Sequence, residues 1–188
     1  MLTLDETGRL VGGFAWVELR LFEVVGGWVP EVAEPEVVAH LAAASRRHAG
    51  RAELWLGHRP VVAGRDPDDL VAAPSPAAEA AVTALAGAAD APDAADAPDA
   101  ADPAGTTAER LARLYRGVMP ALLAAYAAVE QAASPIADPA LRRSLRVATA
   151  EAADDVETGE RLQEALRAGD GEPRGEADLT LTAANFVA

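Results

Sequence analysis

Leu10–Val29 reads L-V-G-G-F-A-W-V-E-L-R-L-F-E-V-V-G-G-W-V, a run with the length of a membrane span. Glu18, Arg20 and Glu23 sit near its middle and make insertion costly. The same run reads well as one helix of a bundle. Val11, Phe14, Glu18, Leu21, Val25 and Trp28 follow steps of three and four, so they share one side. Glu18 therefore lies in the apolar stripe, and Gly26-Gly27 with Pro30 beyond mark the stop. Met1–Leu10 places Asp5 and Glu6 before its first Arg, the wrong start for a secretory signal. The expectation is an all-α, cytoplasmic protein that makes no membrane contact.

Three further helical segments follow. The second opens at Pro35, a favoured first-turn residue, and runs to about His58. Val37 or Val38, Leu41, Ser45, His48, Ala52 and Trp55 form its inner face, which puts His48 among apolar residues. The third begins at the capping-box pattern Thr106-Thr107-Ala108-Glu109 and reaches about Ala133. Its face is Leu111, Tyr115, Val118, Leu122, Tyr126 and Val129, with a kink expected at Pro120. The fourth starts at Asp138-Pro139 and continues to about Ala168, lined by Leu141, Leu145, Ala148, Ala152, Asp155 or Val156, Leu162 and Leu166.

Apolar residues make up 51% of the chain but aromatics only 4%, so small side chains packed closely between helices must supply much of the core. Sixteen cations face thirty acids, for a net charge of −14, and every cation is Arg. A chain this acidic, without a basic stripe, repels nucleic acid and anionic membrane surfaces. Having no Cys excludes disulfides, thiolate nucleophiles, iron–sulfur clusters and Cys-ligated zinc. Having no Lys excludes Schiff-base chemistry. No G-x-S-x-G, G-x-G-x-x-G or P-loop is present, and Gly12-Gly13 and Gly26-Gly27 read as helix-end punctuation.

Residues 61–105 differ in character. They are rich in Ala, Pro and Asp, with a possible short helix over Pro76–Ala89 and A-A-D-A-P-D repeated at 88–93 and 94–99. The organisation expected is a first helical hairpin (1–60), a low-complexity crossover (61–105), a second hairpin (106–168) and a tail (169–188) that adds a strand or lies across the bundle. Residues 88–103, with no apolar side chain larger than Ala, are expected to add nothing to stability. Short links join the helices within each pair, so each pair forms an antiparallel hairpin. The long central link permits the second pair to cross the bundle.

Glu18 and His48, mid-helix on facing apolar stripes, together with Glu151-Ala152-Ala153-Asp154 on the fourth segment, give the chain its resemblance to the ferritin-like superfamily. That family is a four-helix bundle of two antiparallel hairpins joined by a long crossover. It holds two metals with one Glu on each of two helices and Glu-x-x-His on each of the other two. Glu18 matches the first Glu and His48 the first His. Ser45 replaces the Glu partner of His48, Asp154 stands where the second His belongs, and the third segment offers no central acid.

The expectation drawn from this pattern is a non-catalytic or ligand-binding bundle with an incomplete metal site and no cofactor. The alternative is a dimetal-carboxylate oxidase or oxygenase using Glu18, His48, Glu151 and Asp154 with iron or manganese. A further alternative is a carrier of a small apolar ligand, with a pocket opened by the Pro120 kink or edged by Trp16 and Trp55. Without metal, a Glu18–His48 hydrogen bond explains both residues, with His48→Ala costing more than Glu18→Gln. Glu151, Asp154 and Asp155 then form a solvated acidic edge, while His40, His58, Arg47 and Arg51 lie on the surface. Trp28 and Trp55, near the bundle ends, suggest a homo-oligomer.

Overall fold

A computed structural model of the chain describes residues 2–61, 64, 66–87, 106–170 and 181–187. Among them every regular element is helical and there is no strand. Helix α1 spans Leu4–Trp28. It starts earlier than its apolar stripe, because Thr3 and Glu6 close a capping box over its polar first turn. The Thr3 N–H donates to Glu6 Oε2 at 2.7 Å, and the Glu6 N–H donates to Thr3 Oγ1 at 3.2 Å. Gly26-Gly27 does not stop the helix; it runs on to Trp28, where a 3₁₀ turn, Val29–Glu31, takes over with Pro30. Helix α2 spans Pro35–Leu56 and ends at Gly57.

A 3₁₀ turn at Pro67–Leu70 precedes α3 (Pro76–Ala86), whose first turn is capped by the Ser75 hydroxyl. Helix α4 (Thr107–Ala112) opens on the capping box of Thr106 and Glu109, as the sequence pattern implies. It passes through a π-helical turn, Arg113–Val118, into α5 (Met119–Ala132). The expected irregularity near Pro120 is present as this π-helical turn, just before the proline. Proline has no N–H for the carbonyl one turn back, and its ring crowds that carbonyl. Widening the preceding turn, so that Met119 N–H reaches Leu114 O, accommodates the ring while Pro120 faces solvent. Helix α6 (Pro139–Asp170) is the longest, and a 3₁₀ turn at Ala183–Phe186 closes the described chain.

Side-chain pairs fix the directions of the long helices. Ser45 donates to Phe22 O at 3.0 Å, Arg51 to Glu18, and Phe14 packs on Trp55 with ring centroids 5.4 Å apart. Rising numbers on α2 thus meet falling numbers on α1, and the two are antiparallel. Arg142 and Arg146 reach Glu130 while Arg116 reaches Glu164, so α5 and α6 are antiparallel too. His58–Ser144 and Arg51–Asp155 make α2 and α6 antiparallel. His40–Tyr115 and Trp55–Tyr126 run α2 parallel with the α4–α5 path, and Arg110–Glu31 with Tyr126–Glu18 run that path against α1. In chain order the long helices therefore point up, down, down and up.

The expected inner faces are the observed ones. Val11, Phe14, Leu21, Val25 and Trp28 are buried with Leu41, Trp55, Leu111, Val118, Leu122, Val129, Leu145, Ala148 and Ala152. Trp28 and Trp55 are core residues, which removes the basis for expecting association through them. Within the span read as crossover, α3 buries Ala78, Ala81, Val82 and Leu85 in the same core. The tail lies across the bundle as the Ala183–Phe186 turn, with Phe186 fully buried. The hexad repeat at 88–103 and most of the tail's Gly/Pro/acid stretch fall outside the described residues. No described helix is long and apolar enough to cross a membrane.

Gly12 is where the crossover touches α1. A Cβ there would lie 1.9 Å from the Leu70 carbonyl oxygen and 2.7 Å from its carbon, both backbone atoms. The pair Gly12-Gly13 is thus buried mid-helix and ends nothing. Gly12→Ala should lower the urea midpoint, by about 1–3 kcal/mol in stability, although Ala favours a helix over Gly by about 1 kcal/mol. A neutral or stabilised Gly12→Ala would mean that the Pro67–Leu70 turn does not dock on α1.

Candidate functional site

Glu18 is fully buried at the middle of α1, and three side chains from two other helices converge on its carboxylate. His48 Nδ1 on α2 lies 2.5 Å from Oε2. Arg51 Nε, one turn further on α2, donates to Oε1 at 2.8 Å, and the Tyr126 hydroxyl on α5 donates to the same oxygen at 2.5 Å. Trp55 Nε1 in turn donates to the Tyr126 oxygen at 3.2 Å. Phe14 seals the apolar side, its ring edge-on to Tyr126 at 4.7 Å between centroids.

The fourth side comes from α6. Arg51 Nη1 donates to Asp155 Oδ2 at 3.2 Å, and Arg47 Nε donates to Asp155 Oδ1 at 2.7 Å. Arg51 and Asp155 are each 1% exposed, so this is an interior ion pair and not a rim contact. A buried carboxylate and a buried guanidinium persist only when paired and hydrogen-bonded on most sides, and here each is.

Electrostatics set the protonation states. Burial pushes Glu18 up, but the charges and hydrogen bonds of His48 and Arg51 outweigh it and hold the carboxyl below its ordinary value. Burial pushes Arg51 down, and the Glu18 carboxylate more than restores it, so the guanidinium is cationic at any usable pH. Burial and then the Glu18 charge push Tyr126 well up, keeping it a hydroxyl donor. An ionised Glu18 only accepts, so the single proton at His48 Nδ1 points to Oε2. The Arg51 Nη2 atom 2.9 Å from Nδ1 is then a contact and not a second bond. His48 Nε2 is buried without a partner among the described residues.

A second polar pair lies further along the same interior. His40 Nε2 and the Tyr115 hydroxyl are 2.7 Å apart, and the Tyr115 ring fills a notch left by Gly159 on α6. A Cβ at Gly159 would fall 2.1 Å from that ring. His40 and Arg51 are therefore core residues, contrary to the surface position expected for them, while His58 is half-buried against Ser144. Arg47 is partly exposed and turned to Asp155.

The structure brings Glu18 and His48 together, as their positions implied. Glu151 and Asp154 it leaves exposed on α6. The inward acid there is Asp155, with Ala152 one turn before it, so the facing pair is one residue later than the Glu151–Asp154 spacing suggested. Asp155 consequently does not belong to a solvated acidic edge. Ser45 serves as a donor to Phe22 O, and Tyr126 stands where the third helix lacks an acid. Among the described residues no group of three or more His, Asp or Glu side chains is gathered as a metal requires. A surface groove lined by Leu2, Glu6, Arg9, Leu10 and Val187 lies at the start of α1, away from Pro120.

Burial pushes His40 below its ordinary value, with the Asp155 charge opposing, and burial does the same to His58. The unfolded chain therefore takes up these protons first. Stability is lost as pH falls below about 6.5 toward the folded values, before the Glu18 contribution fails at lower pH. The melting temperature should fall between about pH 7 and pH 5.5, and His40→Gln, which keeps a partner for Tyr115, should shrink that fall. An unchanged pH profile in His40→Gln would show that His40 titrates alike in both states.

No family model, no curated protein and no solved structure matches this chain.

Proposed function

We propose that this chain is a ferritin-like bundle with a non-catalytic role, a scaffold or binding protein whose central charges are balanced by its own side chains. The observation that carries this reading is the Arg51 guanidinium lying between Glu18 and Asp155, two carboxylates on helices of different hairpins. The up-down-down-up order of the long helices and the long crossover support the ferritin-like topology.

The iron or manganese that this resemblance implies does not fit the residues present. Both oxygens of Glu18 already accept hydrogen bonds, Asp155 is turned to two guanidinium groups, and Glu151 and Asp154 are exposed. A fixed cation among these groups repels a dication.

Protein purified without a chelating tag should contain less than about a tenth of an equivalent of iron or manganese, and chelator should leave its melting temperature unchanged. Two equivalents of either metal, lost to chelator together with stability, would replace this reading by the dimetal oxidase.

A further inference from the structure

We propose that Arg51 is the resident cation of this bundle: its guanidinium does the work of a bound divalent ion in tying α1 to α6, and it keeps such ions out. This rests on the reading above that the native chain works without metal. Glu18 on α1 and Asp155 on α6 belong to different hairpins, and both carboxylates are at most 1% exposed. Two interior carboxylates that share one side chain as partner repel each other and are poorly solvated, so the bundle needs positive charge between them.

The side chain that supplies it comes from α2 and spans the gap, with Nε on Glu18 at 2.8 Å and Nη1 on Asp155 at 3.2 Å. Its third nitrogen, Nη2, lies 2.9 Å from His48 Nδ1, so the guanidinium fills the space that Glu18, His48 and Asp155 surround. These three side chains, from three helices, are not gathered as a metal requires while the guanidinium stands among them, but carboxylate and imidazole are the ligand types of hard or borderline divalent ions. Arg51 is what separates them. Arginine suits the task because its fork bonds two carboxylates at once and never loses its proton.

The test uses the full-length chain and Co²⁺ as probe, because its visible absorption reports nitrogen and oxygen ligation. Wild type and Arg51→Lys, which keeps the charge, should show neither a Co²⁺ band nor a shift in melting temperature at about 1 mM ion. Arg51→Ala should melt lower, gain roughly 5 °C or more on adding Co²⁺, acquire a visible band, and lose both with EDTA. Combining Arg51→Ala with Glu18→Gln should abolish the response. If Arg51→Ala does not fold alone, recovery of the fold in Co²⁺, there or in Arg51→Gln, also supports the proposal. Failure of both variants to fold or to respond in Co²⁺ overturns it. So does an Arg51→Lys response equal to that of Arg51→Ala. A response in wild type would overturn the metal-free reading as well. Silence in Arg51→Ala beside a silent wild type would overturn only the role given to Arg51.

Discussion

Glu18→Gln should destabilise the protein by about 3–5 kcal/mol, the usual cost of breaking a buried ion pair by removing one partner. The amide is nearly isosteric, and its carbonyl still accepts from Arg51 and Tyr126. The cost arises from charge. Neutralising Glu18 leaves the interior guanidinium with Asp155 alone, and Asp155 is already shared with Arg47. His48→Ala removes one hydrogen bond but leaves the Glu18–Arg51 and Glu18–Tyr126 bonds in place, and should cost about 1–3 kcal/mol. This order is the reverse of what a lone Glu–His pair would give. Urea denaturation of the two single variants and the double variant gives both the order and the coupling. Additive effects would show that Glu18 and His48 are not coupled, and a Glu18→Gln milder than His48→Ala would show that Arg51 does not depend on Glu18.

The second large effect is expected at the far end of the chain. Phe186 is fully buried, and the turn that carries it is tied down by the Ser75 hydroxyl, which donates to Asn185 O at 2.6 Å. Thr182 and Asn185 close a capping box that pre-forms the turn. Phe186→Ala should cost about 3 kcal/mol or more, as truncations of buried aromatic residues do, and should speed trimming of the tail by carboxypeptidase. Ser75→Ala, which loses one hydrogen bond, should cost about 1 kcal/mol. If Phe186→Ala melts with the wild type, the tail does not form part of the core.

The helices were legible because an apolar stripe is a local pattern. The three- and four-residue steps on α1 and α2 placed Glu18 and His48 in the interior without reference to any other element. What lay beyond reach depends on partners distant in sequence. Arg51 reads as a surface residue until Asp155 is known to face it, since burial of a guanidinium is decided by the opposing helix. The misplacement on α6 has the same origin. Asp154 and Asp155 are neighbours on the helix, and contact with Arg51 and Arg47 selects the second as the acid that turns inward. Gly12 resembled punctuation because the Leu70 carbonyl that needs its bare Cα arrives from the crossover. The Thr3–Glu6 and Thr182–Asn185 capping boxes and the Ser75 cap are local signals too, but they lie in turns without apolar periodicity.

The polar centre has a consequence for the order in which the chain folds. Glu18–Tyr126 and Arg47–Asp155 each join residues 108 apart in sequence, and Arg51–Asp155 joins residues 104 apart. None of these bonds can form while a single hairpin folds on its own. The expectation is that each hairpin closes first through local contacts and that the carboxylates stay hydrated until the two hairpins dock. On that expectation docking is the slow step, and the network completes only once the hairpins have met. Substitutions at Glu18, Arg51 and Asp155 should accordingly leave the refolding rate nearly unchanged and speed unfolding, so the network acts as a latch on the finished bundle.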